Sequence, residues 1–306
     1  MLAKLTKEVF SDKSWIYERK LDGVRVLVFK KGKDVVLMSR NRKNQNNTYP
    51  EIVEFLKKQS AENFIIDGEI VAFQGSHTSF AELQKRMNLK NSDEIENHTT
   101  EVFYYVFDII HFEDHDVSKL PQIERKSLLE KGIDFKDPIR YSKHRFKDGA
   151  SFYKEACTEK WEGLIAKKMD SGYSFGRSSN WLKMKCMNQQ ELVIGGFTEP
   201  TGSRVGFGAL LLGYFENGKL QYAGKVGTGF TDELLNDLYS KMTKLETEKS
   251  AFEKPKEVKS KNVHWIKREL VAEMSFTEWT SGNKLRHPSF LGLRNDKDAK
   301  DVVKEM

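Results

Sequence analysis

The order of apolar and polar residues divides the first half of the chain into strands and helices. Valine occupies positions 24, 26 and 28, a glycine lies in the basic segment 31–33, and residues 35–38 are apolar again. This pattern predicts a β-hairpin over residues 24–40. Apolar residues at helical spacing predict helices after Tyr49-Pro50, over residues 80–89 and over residues 121–129.

Two apolar segments contain residues that core packing does not require. The triplet Asp67-Gly68-Glu69 interrupts a predicted strand over residues 63–73. A turn accounts for Asp67-Gly68, but an unpaired Glu69 carboxylate inside the strand would cost several kcal/mol, so we expect it to have a cationic partner. Glu69 is interpreted as facing a nucleotide or a divalent metal. Residues 101–112 predict an aromatic strand that is mostly core, in which Phe107 is the candidate for stacking on a base.

Charged residues recur where two later strands begin and end. Glu162-Gly163 precedes the apolar residues 164–166, and a Gly- and Ser-rich loop is expected over residues 170–180. Residues 181–185 predict a strand with Lys183 and Lys185 on the same face. Two neighbouring ammonium groups repel unless an anion such as a triphosphate lies between them. An exposed edge strand protected by lysines is the alternative explanation.

Candidate chemistry is concentrated in the segment 18–25, just before the first hairpin. Lys20 lies at the end of a predicted strand, with Asp22 two residues later and Gly23 at a turn. This setting suits a desolvated amine that loses its proton near neutrality and acts as a nucleophile. A K-x-D-G pattern also arises by chance, and a solvated lysine beside a turn is the alternative.

The second half has a different pattern, of short strands between glycine-rich turns. Strands are predicted over residues 192–197, 209–215, 220–226 and 270–276, a helix over 231–245, and a charged linker over 246–261. This set indicates a small barrel of the OB type, a fold that commonly binds nucleic acid. We expect an α+β chain with a first domain over residues 1–187 and an OB-fold domain over residues 188–306.

Composition limits the class of protein. The 306 residues carry a net charge of +6 and give a pI near 9.0, which favours a polyanionic partner. Cys157 and Cys186 are too few for a disulfide framework or a four-cysteine zinc site, so a reducing cytoplasm is expected. The chain shows no signal peptide and no apolar run of roughly 20 residues, so neither export nor a membrane anchor is expected.

Taken in order, these motifs resemble those of one enzyme family, the ATP-dependent DNA ligases. Residues 191–230, 278–280 and 287–288 are most similar to the ligase module of bacterial ligase D, which joins broken ends together with Ku. The resemblance covers nearly the whole chain. The matching motifs are Lys20-Leu21-Asp22-Gly23, Ser39-Arg40-Asn41-Arg42, Asp67-Gly68-Glu69, the strand around Phe107, Glu162-Gly163-Leu164-Ile165, Leu182-Lys183-Met184-Lys185 and the segment from Arg286 to Lys297.

The resemblance implies a nucleotidyltransferase domain of antiparallel sheets flanked by helices, followed by the OB-fold domain, and a reaction in three steps. Lys20 attacks the α-phosphorus of ATP and retains AMP as a phosphoramidate, with release of pyrophosphate. The AMP then passes to the 5′-phosphate of the DNA, and the 3′-hydroxyl displaces it. Each step is an in-line displacement at phosphorus, so the protein mainly positions groups and neutralises charge.

The resemblance also assigns a role to each candidate residue. Lys20 is the nucleophile, and Asp22 of the same motif is counted among the catalytic residues. Glu69 and Glu162 are expected to bind Mg²⁺, or Mn²⁺ in its place. The implied nucleotide contacts are Glu18 to the adenine amino group, Arg25 and Arg40 to ribose and phosphate, Phe107 to the base, Lys183 and Lys185 to the α-phosphate, and Arg177 more weakly to the phosphates. Arg294, Asp296 and Lys297 are expected to act in the first step alone.

Two other classes of protein are weighed against a DNA ligase. An RNA ligase or a capping guanylyltransferase shares the K-x-D-G chemistry, and a catalytically silent OB protein would also bind nucleic acid. Every residue that the chemistry requires is present in the sequence, which argues against a catalytically silent protein. The expected partners are nicked or broken double-stranded DNA and Ku or another end-joining protein, with no membrane. A monomer associated with a bacterial nucleoid in the cytoplasm is expected.

Overall fold

A computed structural model describes residues 1–87, 89, 94–95, 98–202 and 204–305 of the chain. It divides into two compact units, Met1–Cys186 and Met187–Met306. Within the described part, no helix has the length and apolar character needed to cross a lipid bilayer.

The first unit combines two β-sheets with helices that pack against them. Its helices are α1 (Pro50–Lys57), α2 (Phe80–Met87), α3 (Gln122–Gly132) and α4 (Gly149–Thr158). Its strands are β1 (Leu2–Leu5), β2 (Trp15–Lys20), β3 (Val24–Lys31), β4 (Asp34–Ser39), β5 (Asn63–Gln74), β6 (His77–Thr78), β7 (Val102–Phe112), β8 (His115–Asp116), β9 (Ile139–Tyr141), β10 (His144–Phe146), β11 (Gly163–Lys168) and β12 (Arg177–Lys185).

One sheet has the order β1-β12-β11-β2-β10, and β11 runs antiparallel to both of its neighbours, β2 and β12. The other has the order β4-β3-β5-β7-β8, with β6 added to β5 and β9 to β7. The predicted hairpin is confirmed by β3 and β4, which are antiparallel partners joined through Gly32. The larger sheet buries α1 and α2 against one of its faces through Ile52, Leu56, Phe80 and Leu83.

Two sequence predictions about this unit are wrong. Asp67-Gly68 is no turn, because both residues lie inside the continuous strand β5 and pair with β3. The predicted loop over 170–180 ends early, because Arg177 and Ser178 pair in parallel with β1 and belong to β12. In both cases the deciding interaction is pairing with a strand distant in sequence, which local composition does not reveal.

Cys157 and Cys186 are joined in one disulfide, which the sequence pattern did not predict. It links the C-terminal part of α4 to the residue that follows β12.

The second unit is an OB-type barrel with a helix beside it. Its strand β13 (Asn188–Thr198) is long enough to pair with β18 (Val271–Phe276) through residues 188–193 and with β17 (Val263–Ile266) through residues 196–198. The helix packs Leu235, Leu238 and Met242 into the barrel core. The elements are β13 (Asn188–Thr198), β14 (Leu210–Glu216), β15 (Lys219–Val226), α5 (Asp232–Thr243), β16 (Glu246–Thr247), β17 (Val263–Ile266), β18 (Val271–Phe276), β19 (Glu278–Trp279), β20 (Leu285–Arg286), β21 (Ser289–Leu293) and the short 3-10 helices Pro255–Glu257 and Ala299–Asp301.

The prediction of a charged linker over 246–261 is wrong. This segment contains β16 and a 3-10 helix, and its Ala251 and Phe252 side chains are buried in an apolar cluster with Val193 and Leu211. Two apolar residues among many charged ones were enough to fix the segment to the barrel.

Candidate active site

Lys20 is the last residue of β2, and strand pairing brings the two later motifs to it. Gly163 of β11 pairs with Lys20 on one side and with Lys185 of β12 on the other. Glu162, just before β11, accepts a hydrogen bond from Lys20 Nζ at 2.6 Å. The Nζ of Lys185 lies 4.0 Å from the other carboxylate oxygen. Residues 20, 162 and 185 therefore meet at one point of the sheet.

The expectation that Lys20 is held unprotonated is wrong for this state of the protein. Burial lowers the pKa of Lys20, but the adjacent carboxylates of Glu162, Glu69 and Asp22 outweigh burial and raise that pKa well above its ordinary value. Desolvation, which the sequence suggested, is the largest single influence on this pKa, but the carboxylates acting together exceed it. Lys20 is an ammonium ion here.

Gly23 has a steric function in the K-x-D-G motif. A Cβ atom at this position would lie 2.1 Å from the carbonyl oxygen of Ile70 on β5. Only glycine allows the chain to pass this close before it enters β3 at Val24. The glycine therefore determines the path between Lys20 and the larger sheet.

Arg25 and Asp67 form a buried pair on neighbouring strands of the larger sheet. The Nε atom of Arg25 donates to Asp67 Oδ1 at 2.9 Å, and the hydroxyl of Tyr173 donates to Asp67 Oδ2 at 2.8 Å. Burial alone would raise the pKa of Asp67, but Arg25 and Tyr173 hold it below its ordinary value. Asp67, which the sequence pattern assigned to a turn, thus fixes the position of the Arg25 guanidinium.

Glu69 lies two residues further along β5 and is half-buried. In strand register it is opposite Arg25 on one side and Tyr105 on the other. Its negative charge contributes to the raised pKa values of both Lys20 and Arg25. The expected cationic neighbourhood of Glu69 is therefore present.

Glu18 is the centre of a buried ionic cluster. Its Oε2 accepts hydrogen bonds from Lys167 Nζ at 3.0 Å and from the Ser142 hydroxyl at 2.9 Å, and its Oε1 lies 3.1 Å from Lys126 Nζ. Burial alone would raise the pKa of Glu18, but the two lysines hold it below its ordinary value. Burial and the charge of Lys167 lower the pKa of Lys126 to about 8, although Glu18 opposes them.

Neither lysine of this cluster was identified as a candidate from the sequence, although the position of each indicated that its side chain is buried. Lys167 continues the apolar run 164–166 of β11, where a solvated lysine is not expected. Lys126 lies three residues before the buried Leu129 on α3, and therefore on the inward face of that helix.

Phe107 of β7 is half-buried among cations and one large ring. Its ring centroid lies 5.8 Å from that of Trp181 in an edge-to-face contact. The Lys167 Nζ lies 4.6 Å from the Phe107 centroid, and the Arg25 Cζ lies 5.4 Å from it.

Lys183 and Lys185 share one face of β12, as their spacing predicted.

The remaining candidates differ in their exposure and in their partners. Arg40 is exposed in the turn after β4. Arg177 is exposed and donates through Nη1 to the Ala3 carbonyl oxygen at 2.8 Å. Arg294 lies in the second unit, where it is buried and donates to both carboxylate oxygens of Asp296 at 2.9 Å and to Glu273 at 3.4 Å. Lys297 of the same segment pairs with Glu191 at 2.8 Å.

The carboxylates near Lys20 fit a magnesium site that is completed by substrate. Among the described residues, no three or more His, Cys, Asp or Glu side chains are grouped to hold a metal by themselves. Glu69 and Glu162 both act electrostatically on Lys20. Magnesium is commonly bound by one or two carboxylates, with phosphate and water as its other ligands, and these two side chains meet that requirement.

Comparison with known sequences identifies the family. Residues 1–185 match the profile described as the ATP dependent DNA ligase domain, and residues 203–297 match the ATP dependent DNA ligase C terminal region. The chain belongs to the ATP-dependent DNA ligase family. Its first unit is the nucleotidyltransferase unit of that family, and its second unit is the OB-fold unit.

Individual relatives agree with this assignment. The chain is 33% identical over 95% of its length to the multifunctional non-homologous end joining protein LigD of Pseudomonas aeruginosa, and 33% identical over 97% to that of Mycolicibacterium smegmatis. It covers 35% and 38% of those proteins, about a third of their length. A solved structure of mycobacterial DNA ligase D complexed with ATP and MES matches with a TM-score of 0.66 and 30% identity, covering 99% of this chain and 97% of that one.

Proposed function

We propose that this chain joins a 5′-phosphate to a 3′-hydroxyl in double-stranded DNA, with Lys20 as the residue that carries AMP. The observation that carries the proposal is the convergence of Lys20, Glu162 and Lys185 at one point of the five-stranded sheet. An amine that is to attack phosphorus needs cations beside it to receive the negative charge of the phosphate. Lys185, and Lys183 on the same face, provide that charge.

Lys20 must lose its extra proton before it can attack the α-phosphorus of ATP. The nitrogen then forms a bond to phosphorus as the bond to the pyrophosphate oxygen breaks, and pyrophosphate leaves. Glu162 Oε2, 2.6 Å from the nitrogen, is positioned to accept the proton. A divalent cation held by Glu69 and Glu162 would add positive charge beside the phosphates and offset the carboxylates that keep Lys20 protonated.

The remaining nucleotide contacts are proposed residue by residue. Glu18 would accept a hydrogen bond from the adenine amino group, and the ring of Phe107 would stack on the base. Arg25, which is held in place by Asp67, and the exposed Arg40 would contact ribose and phosphate. Asp22, whose charge raises the pKa of Lys20, would help to orient that side chain. Arg177 remains the weaker phosphate candidate, since part of its guanidinium is already bound to the Ala3 carbonyl.

We propose that Arg294, Asp296 and Lys297 contribute only to the transfer of AMP from ATP to Lys20. Arg294 donates hydrogen bonds to Asp296 and Glu273 in the second unit, so a role in the first step requires those contacts to rearrange. A change of this kind would be part of the domain movement expected of a ligase.

The DNA substrate and partners are proposed from the named relatives. Because LigD is named as an end-joining protein, we propose that the chain accepts broken ends as well as nicks and that Ku or a similar protein recruits it. The proposed working form is a monomer at the bacterial nucleoid, in the cytoplasm.

Formation of the lysine adduct tests the proposal. With ATP labelled at the α-phosphorus and Mg²⁺, the chain should retain label, and Lys20→Ala should retain none. Lys58→Ala, which removes an exposed lysine after α1, is the matched control and should label normally. Equal labelling of Lys20→Ala would overturn the assignment of the nucleophile.

A second assay tests whether Arg294 acts only in the transfer of AMP to Lys20. Arg294→Ala should lose adduct formation but still seal a nick whose 5′-phosphate already carries AMP. Arg286→Ala, an exposed arginine of the same unit paired with Glu278 at 2.7 Å, should retain both activities. Loss of sealing of the adenylated nick by folded Arg294→Ala protein would show that Arg294 is needed beyond the first step.

A further inference from the structure

The first unit contains a cavity of about 650 Å³ beside the Lys20 cluster and lined by different residues. It lies along β2 beyond the part of that strand that pairs with β10. This pairing covers only Ile16 to Glu18. Side chains alternate along a strand, so Arg19 projects to the opposite side from Glu18 and Lys20. Arg19 and Leu21 line this cavity, together with residues of β9, β10 and Trp161.

Within the described part of the chain, Arg19 forms no ion pair with a carboxylate. Its Nη2 donates to the Ser76 carbonyl oxygen at 3.3 Å, whereas its buried Nε has no hydrogen-bond acceptor among the described residues. Burial lowers the pKa of Arg19, and no carboxylate counters that effect. A buried donor without an acceptor is costly, so an anion entering the cavity would be stabilised there.

The cavity carries more positive than negative charge. Its lining includes five arginine and lysine side chains but a single carboxylate, Asp137. Asp137 is bound by Arg140, and Arg145 is bound by Glu155. Arg19 and the exposed Lys143 remain available to a ligand. An acidic group of the ligand is therefore needed to balance this surface.

Aromatic rings also line the cavity. The Arg19 Cζ lies 4.4 Å from the Trp161 ring centroid, which places the guanidinium over the indole. Phe152 meets Trp161 edge to face at 5.9 Å, and Tyr105 and Tyr141 also line the cavity. Aromatic faces beside arginine and lysine side chains are the combination that binds nucleotides in single strands, by stacking on bases and pairing with phosphates.

We propose that this cavity binds one nucleotide of a single-stranded DNA extension, with its phosphate at Arg19 and Lys143 and its base against Trp161. The inference rests on the proposed function, because it takes DNA to be the substrate. A single-stranded extension at a broken end would then have a binding site next to the strand that carries Lys20. A free nucleotide has the same chemistry, and the test separates the two sources.

The test compares variants of the full chain in their affinity for a fluorescent oligothymidylate, measured by anisotropy. Arg19→Gln and Trp161→Leu should each weaken binding by about tenfold, the range expected for one stacked base. Lys58→Gln, which removes an exposed charge outside the cavity, should change the affinity by less than about twofold. Oligothymidylate binding by both cavity variants as tight as that of the unaltered chain would overturn the proposal.

Two further measurements keep the outcomes distinct. Thymidine monophosphate should compete only at far higher concentration than the oligonucleotide, and equal competition would replace the single strand by a free nucleotide as the ligand. Lys20→Ala should bind the oligothymidylate normally although it forms no adduct. Failure of adduct formation by the unaltered chain would contradict the ligase proposal without affecting the binding result. Arg19→Gln should retain adduct formation, which confirms that it is folded.

Discussion

At the scale of single residues, the main determinant of the charge on Lys20 is its contact with Glu162. The two side chains are in direct contact at 2.6 Å, and the Lys20 side chain is 20% exposed. Burial by itself lowers the pKa of Lys20, and Glu162, together with Glu69 and Asp22, reverses the direction of the shift. Chemistry at Lys20 thus requires a change in its surroundings, which the arrival of a nucleotide and a divalent cation would supply.

Replacing Glu162 by Gln tests this balance. The amide keeps the shape but removes the charge, so burial is opposed only by Glu69 and Asp22 and the Lys20 pKa should fall. The pH dependence of Lys20 acetylation, followed by mass spectrometry, should move its midpoint to lower pH. Glu54→Gln, at an exposed pair with Lys57, is the control and should leave that midpoint in place. An unchanged midpoint in Glu162→Gln would show that Glu162 does not hold the proton.

At the scale of elements, the connection between β2 and β3 depends on a close approach between two segments of the chain. The segment between β2 and β3 passes the backbone of β5 at Gly23, where a Cβ would lie 2.1 Å from the Ile70 oxygen. Gly23→Ala should therefore force β3 and β5 apart and lower the free energy of unfolding by about 1–3 kcal/mol. Urea unfolding measures this loss. Gly176→Ala is the matched control, since a Cβ there meets nothing within 4 Å, and an equal loss in both variants would contradict the steric argument.

The disulfide connects α4 to the end of β12 across a sequence separation of 29 residues. Such a link restricts the unfolded chain and should stabilise the first unit by about 2–4 kcal/mol. Replacing both Cys157 and Cys186 by Ser should lower the free energy of unfolding by that amount. A reductant should destabilise the unaltered chain to the same extent and leave the double variant unaffected. Insensitivity of the unaltered chain to the reductant would mean that the thiols are not joined.

Several elements could be predicted from the sequence because their signals are local. The hairpin over 24–40 has alternating valines and a glycine turn, and α1 begins at Pro50 after Tyr49. Elements held by distant partners were missed. Phe252 becomes core only because the barrel provides a site for it, and Asp67 can stay charged inside β5 only because Arg25 lies on the next strand.

At the scale of the whole molecule, the candidate site depends on strand register. The sequence could predict that Lys20, Glu162 and Lys185 matter, through their motifs, but not that Gly163 lies between two of them in the sheet. Pairing of strands separated by more than a hundred residues has no local signature. The same reason explains why Lys126 and Lys167 were missed, since the charge of Glu18 draws them together only in the folded sheet.

The two units have separate apolar cores, and this leads to a prediction about the molecule as a whole. The clusters of the first unit contain residues 1–186, whereas those of the second contain residues from Leu192 onward. A change confined to the second unit should therefore destabilise that unit and leave the other intact. Arg294→Ala is such a change, because it removes the guanidinium that binds Asp296 and Glu273, and loss of one partner from a buried ion pair costs about 3–5 kcal/mol.

Hydrogen exchange read by mass spectrometry should reveal this separation. In Arg294→Ala, peptides from β18 and β21 should lose protection, while those from β2, β11 and β12 should exchange as in the unaltered chain. Arg286→Ala, whose pair with Glu278 is more than half exposed, should change neither set, because exposed pairs contribute little. If β2 and β11 lost protection together with β18, the chain would unfold as one cooperative body. The independent stability of the first unit would then be excluded.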